Sequence, residues 1–204
     1  MALKNNEERG STIYLSVVGG KISQKVTKET VGAVERVNKN NVTVYEQHYN
    51  AIEGVLENIK LKPSDEYGDS YDVTFRDVDQ LYNLNIPVSG RITNGLLGRL
   101  PNIDLSSKIE FRVFNITDKE TGKEKQFSSV YQNGEKVTPA FSKDVPNGLP
   151  PLELKKVKGK DVWDDSEQIE FFKVLIAKTF ADKPKAEVAQ KSEPASNETD
   201  DLPF

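Results

Sequence analysis

Apolar and polar residues alternate along most of the chain between residues 11 and 181, which is the period of a half-buried β-strand. Turn material rich in Gly, Asn and Lys separates the alternating segments, as at Gly19-Gly20 and Asn38–Asn41. An Asn-Gly pair at residues 133 and 134 further predicts a tight hairpin toward Val137. The predicted strands are Thr12–Val18, Ile22–Val26, Ala33–Val37, Val42–Tyr49, Tyr71–Arg76, Lys108–Thr117 and Lys125–Tyr131.

Three other segments have a different pattern. Ala51–Leu61 is short and apolar, which is compatible with either a strand or a helix. Val88–Leu100 predicts a short helix that its glycines weaken and Pro101 ends. Asp164 and Glu167 have the spacing of a capping box, and apolar residues follow at helical spacing. These residues are Ile169, Phe172, Leu175, Ile176 and Phe180.

The many short strands and the closing amphipathic helix predict a mainly β protein. An antiparallel barrel or a sandwich would satisfy the pattern, and a Greek-key barrel of the oligonucleotide-binding (OB) type with insertions fits the length. We expect a flexible polar arm over residues 1–10, an OB-like domain over 11–181 and a disordered acidic tail over 182–204. The tail is too poor in apolar residues to offset the entropy of folding.

The acidic residues in excess over basic ones are concentrated in the tail. The net charge is −4, with 28 basic and 32 acidic residues. Three of these bases and six of these acids follow residue 181, so the first 181 residues hold 28 − 3 = 25 bases and 26 acids. A nearly neutral body is compatible with a local basic groove.

Residue content excludes several kinds of chemistry. The chain has no cysteine and a single histidine, His48, so thiolate metal sites and Cys-His catalysis are excluded. Neither common Gly-rich phosphate loop occurs. We therefore expect no cofactor and no metal. The polar N-terminus and the lack of a long apolar run predict a protein of the cytoplasm that does not contact membranes.

Aromatic and basic residues indicate how single-stranded DNA would bind, by stacking of bases and contact with phosphates. Tyr45 and Tyr49 share one face of a predicted strand, and Arg112 and Phe114 share the solvent face of another, whose hairpin has a lysine-rich tip. The competing interpretation of these aromatics is packing in the core or in cross-strand pairs. For Trp163, which precedes the last helix, a packing role is favoured. The candidate DNA-binding residues are Tyr45, Tyr49, Arg112, Phe114, Lys119, Lys123, Lys125 and Tyr131.

The last five residues, Asp200, Asp201, Leu202, Pro203 and Phe204, have the chemistry of a docking tip. Phe204 offers an apolar anchor beside the terminal carboxylate, and the two aspartates suit a basic rim. Pro203 restricts the backbone and so lowers the entropy lost on binding. The tail before them would serve as a flexible tether.

This terminus resembles that of the bacterial single-stranded-DNA-binding proteins, which end in Asp-Asp-Ile-Pro-Phe or a near variant. The resemblance implies a non-enzymatic protein that coats single-stranded DNA and recruits replication, recombination or repair proteins through its tip. The body differs from the bacterial family, so the chain is most similar to phage-encoded members, and the location implied is the cytoplasm of the bacterial host. Neither the tetramer nor the stacking residues of the bacterial family carry over.

Two other functions remain open. One is a protein-interaction adaptor whose β-rich body and tip bind different partners without nucleic acid. The other is a DNA-processing enzyme with a carboxylate-bound metal. Its carboxylate pairs, at residues 69 and 72, 77 and 79, and 164 and 165, lie in turn-like or capping contexts.

Overall fold

The computed structural model describes residues 12–38, 40–66, 68–141, 146–157 and 159–181. The predicted arm and the predicted tail with its tip therefore lie outside the described residues. Twelve strands and two α-helices make up the described part, which is mainly β, as predicted. The strands are β1 Ile13–Val18, β2 Lys21–Val26, β3 Val34–Val37, β4 Thr43–Tyr49, β5 Ala51–Lys62, β6 Ser70–Asp77, β7 Gln80–Pro87, β8 Lys108–Thr117, β9 Glu124–Gln132, β10 Glu135–Lys136, β11 Glu153–Val157 and β12 Lys160–Asp164, and the helices are α1 Arg91–Leu97 and α2 Ser166–Thr179.

Ten strands form one mixed sheet, in the order β10-β9-β8-β5-β6-β7-β1-β2-β4-β3. All neighbours in this sheet are antiparallel except β1 and β7, which run parallel. The expectation of a purely antiparallel architecture is therefore wrong at that pair. β11 and β12 form a separate hairpin.

The ambiguous segment after Asn50 is the long strand β5, near the centre of the sheet. It pairs with β6 on one side and β8 on the other, so both of its edges are hydrogen-bonded. Ile52, Leu56 and Ile59 are buried, and a β-bulge between Leu56 and Asn58 lets the inward alternation continue past the irregularity. Pairing with a strand on each side makes this segment a strand, although its local pattern was equally compatible with a helix.

The turn that joins β6 to β7 has no recognisable signal in the sequence. β6 and β7 pair up to Asp77 and Gln80, leaving Val78 and Asp79 as the turn. Val78 has a φ of 51°, which β-branched residues rarely adopt. Because valine is rare in such a turn, the sequence does not indicate one here. The asparagines at 83 and 85 also weaken the β pattern that follows.

The turn between β1 and β2 reaches across to β8. The Nδ2 of Asn115 donates a hydrogen bond to the carbonyl of Gly19 at 3.1 Å, and Lys21 donates to the side chain of Asn50. Gly20 has a φ of 74°, in the left-handed region that favours glycine, and a Cβ there would also displace the side chain of Asn115. The sheet thus bends until strands that are far apart in its order come into contact.

One apolar cluster lies between the inner face of the sheet and the two helices. Tyr71, Val73 and Phe75 of β6 are buried, as their alternation predicts. Ile109, Phe111 and Val113 of β8 are also buried, opposite the outward parity of Arg112 and Phe114. Among the described residues, no helix has the length and apolar character that crossing a membrane requires.

Helix α2 covers this core with Phe172 and Ile176, which are buried. The predicted capping box is wrong, because the N-cap is Asp165 and its side chain makes no capping hydrogen bond. Asp164 instead accepts a hydrogen bond from the backbone N–H of Ser166 at 3.0 Å, while its other oxygen binds Lys155 of β11. Asp164 therefore contacts both the first turn of α2 and Lys155 of the β11–β12 hairpin.

A buried carboxylate stabilises the far end of the sheet. Glu46 of β4 is only 2% exposed and accepts hydrogen bonds from Arg36 of β3, with Nε 3.1 Å from Oε2. His48 Nε2 lies 3.1 Å from the same carboxylate. The Arg36 guanidinium lowers the pKa of Glu46 to about 2.

Replacing Arg36 with leucine is expected to lower the free energy of unfolding at pH 7, because the buried carboxylate of Glu46 would lose its main partner. The double variant Arg36→Leu/Glu46→Leu removes both charges and is expected to be more stable than the single variant. Urea denaturation measures the stability of both variants, and equal losses would contradict a buried ion pair.

Since the pKa of Glu46 is lowered on folding, the contribution of this carboxylate to stability is complete above pH 4.5 and is lost as the pH falls toward 2.

Candidate nucleic-acid interface

The outward face of β8 and β9 carries aromatic residues in a row. Phe114 and Phe127 face each other across the hairpin, with ring centroids 6.2 Å apart and ring planes inclined by 18°. Both rings are half-buried, so part of each stays accessible. Nearly parallel rings on a sheet surface offer flat apolar area of the kind on which bases stack.

Two guanidinium groups lie on the aromatic rings of this face. The Cζ of Arg91, at the start of α1, is 5.6 Å from the ring centroid of Phe127. The Cζ of Arg112 is 4.1 Å from the ring centroid of Tyr131. Such cation–π contacts hold the cations at the sheet surface. We name Arg91, Arg112, Phe114, Phe127 and Tyr131 the aromatic-basic face.

Arg112 is also held by a carboxylate. Its Nε and Nη2 donate to Glu110 at 2.9 and 2.7 Å, and this pairing lowers the pKa of Glu110 below its ordinary value. The guanidinium is thereby oriented over Tyr131, and its charge is largely compensated. A phosphate that binds here competes with Glu110 for Arg112.

The lysine-rich tip predicted for the β8–β9 hairpin is present, but its three lysines differ in whether they form an ion pair. Asp118 accepts backbone hydrogen bonds from Glu120 and Thr121, both at 3.0 Å, and binds the ammonium group of Lys125. Lys125 is thus part of the turn and lowers the pKa of Asp118 strongly. Lys119 and Lys123 are exposed and form no ion pair with another described residue. They are the cations that the tip presents to solvent.

A cleft of about 390 Å³ adjoins the aromatic-basic face where the β1–β2 turn meets β8. Amide groups of Asn50 and Asn115, the ammonium of Lys21 and the backbone of the Gly19-Gly20 turn provide donors and acceptors within it. Arg112 and Phe114 form part of both the cleft and the face. The two surfaces are therefore continuous.

The structure places Tyr45 and Tyr49 on β4, outside the aromatic-basic face as defined above, although Tyr49 precedes Asn50, whose carbonyl accepts a hydrogen bond from the N–H of Val113 in β8. They share one face of β4, as predicted, and their hydroxyls bind neighbouring side chains, with Tyr45 donating to Glu35 at 3.2 Å and Tyr49 to Gln47 at 2.8 Å. Burial, assisted by Glu35, raises the pKa of Tyr45. No ring contact or hydrogen bond among the described residues joins either tyrosine to β8 or β9.

Two members of the aromatic-basic face, Phe127 and Arg91, are absent from the sequence-based candidates. Phe127 was predictable in principle, since counting back along the hairpin from its turn places it opposite Phe114. Arg91 was not predictable, because only the packing of α1 beside β9 brings it to the ring. Among the described residues, no group of three or more His, Cys, Asp or Glu side chains has the arrangement of a metal site.

Comparisons with protein-family models, with curated proteins and with solved structures give no match for this chain.

Proposed function

We propose that this protein binds single-stranded DNA without catalysis and with little sequence preference, and that it recruits partner proteins through its C-terminal tip. The observation that carries this proposal is the aromatic-basic face, with the stacked rings of Phe114 and Phe127 flanked by Arg91 and Arg112. Stacking surfaces with interleaved cations bind single strands of any sequence, because every base has a π-face and every nucleotide a phosphate.

The strand order supports an OB-type barrel as the scaffold. β5, β6 and β7 follow one another as neighbours, and β8 returns past α1 to lie beside β5. The resulting order β8-β5-β6-β7 matches the strand order of a Greek key, which supports the proposed scaffold. The contact of the β1–β2 turn with Asn115 of β8 is in keeping with a sheet that curls toward closure. In such barrels nucleic acid binds on strand surfaces and adjoining loops.

The tail supplies the second half of the proposal. Asp200, Asp201, Leu202, Pro203 and Phe204 combine an apolar anchor with acidic groups at the end of a polar segment. The same acids compete with DNA for cationic groups on the body, so DNA affinity at low salt is lower in the full chain than in a truncated one.

Titration of a fluorescein-labelled oligo-dT tests the proposal, with fluorescence anisotropy measured at several salt concentrations. We expect micromolar or tighter affinity, a clear preference over the corresponding duplex, and weaker binding as salt rises. A plot of the logarithm of affinity against the logarithm of salt concentration should have a slope of about −0.7 per phosphate contacted. Gel electrophoresis of the same oligonucleotide with magnesium tests for degradation, which would favour a DNA-processing enzyme.

Two variants probe Arg112 directly in this titration. Arg112→Gln should weaken binding and reduce the steepness of the salt dependence by about 0.7, the contribution of one phosphate. Glu110→Gln should strengthen binding, because it frees Arg112 from its internal partner. Absence of any salt-dependent complex in the unaltered protein would refute the proposed function and favour an adaptor.

A further inference from the structure

The β11–β12 hairpin presents the chain's single tryptophan to solvent. Trp163 is 64% exposed and its cross-strand partner Leu154 is 55% exposed. The packing role that the sequence favoured for Trp163 is therefore wrong: the residue lies in β12, where four of the five residues are exposed, and not at the helix start. Trp163 and Leu154 thus form an exposed apolar pair across the hairpin.

Charged groups flank the indole on the same face of the hairpin. The register pairs Leu154 with Trp163 and Lys156 with Asp161, two residues further along each strand, so all four side chains share one face. Lys156 and Asp161 are exposed, and neither forms an ion pair with another described residue. A free ammonium group thus stands beside an exposed aromatic ring.

The base of the hairpin is fixed to α2. Lys155, on the opposite face, binds Asp164 and lies 3.4 Å from Glu153, and Asp164 accepts from the N–H of Ser166. Helix α2 in turn packs on the core through Phe172 and Ile176. Among the described residues, no side-chain hydrogen bond, ion pair or ring contact ties Trp163, Leu154 or Lys156 to the rest of the protein in the way that Lys155 is tied.

We propose that this face of the hairpin is a second contact for single-stranded nucleic acid, in which a base stacks on Trp163 and Lys156 meets the adjacent phosphate. The inference rests on the proposed function and extends it to a site away from the aromatic-basic face. A protein partner fits less well, because an apolar contact over Trp163 and Leu154 would also remove the hydration of Lys156 and Asp161. A nucleotide places its base on the ring and its phosphate in solvent near the ammonium.

Because Trp163 is the only tryptophan, its fluorescence reports on this hairpin alone. Addition of oligo-dT should quench the emission to saturation and protect the indole from acrylamide. Trp163→Ala should weaken binding measured by anisotropy about tenfold, since one stacked base contributes about 1–3 kcal/mol. Trp163→Phe should retain most of the affinity. Lys156→Gln should weaken binding, and Asp161→Asn should strengthen it.

The matched control is Val31→Ala, which removes another exposed apolar side chain, 92% exposed, from a loop before β3. It should leave affinity unchanged, and circular dichroism should show all variants folded. Anisotropy that reports binding while Trp163 emission and acrylamide access stay constant would overturn this inference and leave the proposed function standing. Absence of binding by either probe would overturn both. A sedimentation coefficient that falls on Trp163→Ala would assign the face to a second copy of the chain.

Discussion

Changing Phe114 and Phe127 together to alanine is expected to weaken oligo-dT binding by about a hundredfold. Each stacking platform contributes about 1–3 kcal/mol per base, and each 1.4 kcal/mol corresponds to a factor of ten. The rings lie on the outward face, where their main aromatic partner is each other, so their loss removes surface without opening a cavity in the core. Fluorescence anisotropy with labelled oligo-dT measures the change, and each single variant should lose about tenfold.

Tyr14→Ala is the control for this experiment, because Tyr14 is an aromatic residue that is 72% exposed on β1, outside the aromatic-basic face. It should bind oligo-dT as the unaltered protein does. The variants Tyr45→Ala and Tyr49→Ala test the other two aromatics that the sequence suggested. If these weaken binding and the Phe114/Phe127 variant does not, DNA binds along β4 and our assignment of the interface is wrong.

Deletion of residues 196–204 is expected to abolish recruitment of partner proteins while single-stranded-DNA affinity is preserved or increased. The deletion removes the Leu-Pro-Phe anchor, the terminal carboxylate beside it and three acids, Glu198, Asp200 and Asp201. Loss of the anchor eliminates docking, and loss of the acids relieves competition with DNA. The gain in DNA affinity should be largest at low salt, where exposed charges interact most strongly.

Recruitment is measured by capture of proteins from bacterial lysate on the immobilised protein, with a synthetic peptide of residues 196–204 as competitor. Bound proteins should be released by this peptide and not by one of the same composition in scrambled order. Phe204→Ala should reproduce the loss of capture without changing the net charge. Loss of DNA binding on the deletion would contradict a tip whose task is to dock proteins.

The sequence predicted the strands with the strongest alternation and the correct inward faces. Tyr71, Val73 and Phe75 of β6 are buried, and Ile109, Phe111 and Val113 of β8 are buried with Arg112 and Phe114 outside. Alternation is a local property, so it can be read without knowing the neighbouring strand. Two of the five residues of the aromatic-basic face, Arg112 and Phe114, followed from parity on β8 alone.

The remainder depends on contacts between distant segments. The β11–β12 hairpin consists largely of Lys, Glu and Asp, which are depleted in strands, so propensity gave no signal for it. That omission also misplaced Trp163 at a helix start. The position of Arg91 on Phe127 requires α1 to lie beside β9, and α1 has a glycine there for close approach: a Cβ on Gly95 would lie 2.9 Å from the carbonyl oxygen of Ser128.

The parallel pairing of β1 with β7 also sets an order of events during synthesis. Ile13 pairs with Tyr82, which the ribosome adds 82 − 13 = 69 residues later. At about 5–20 residues per second, β1 stays without its β7 partner for about 3–14 seconds after it is made. Until then β1 has β2 on one side only, because β7 occupies its other edge in the finished sheet. The nascent chain therefore carries an open edge on β1 throughout that interval.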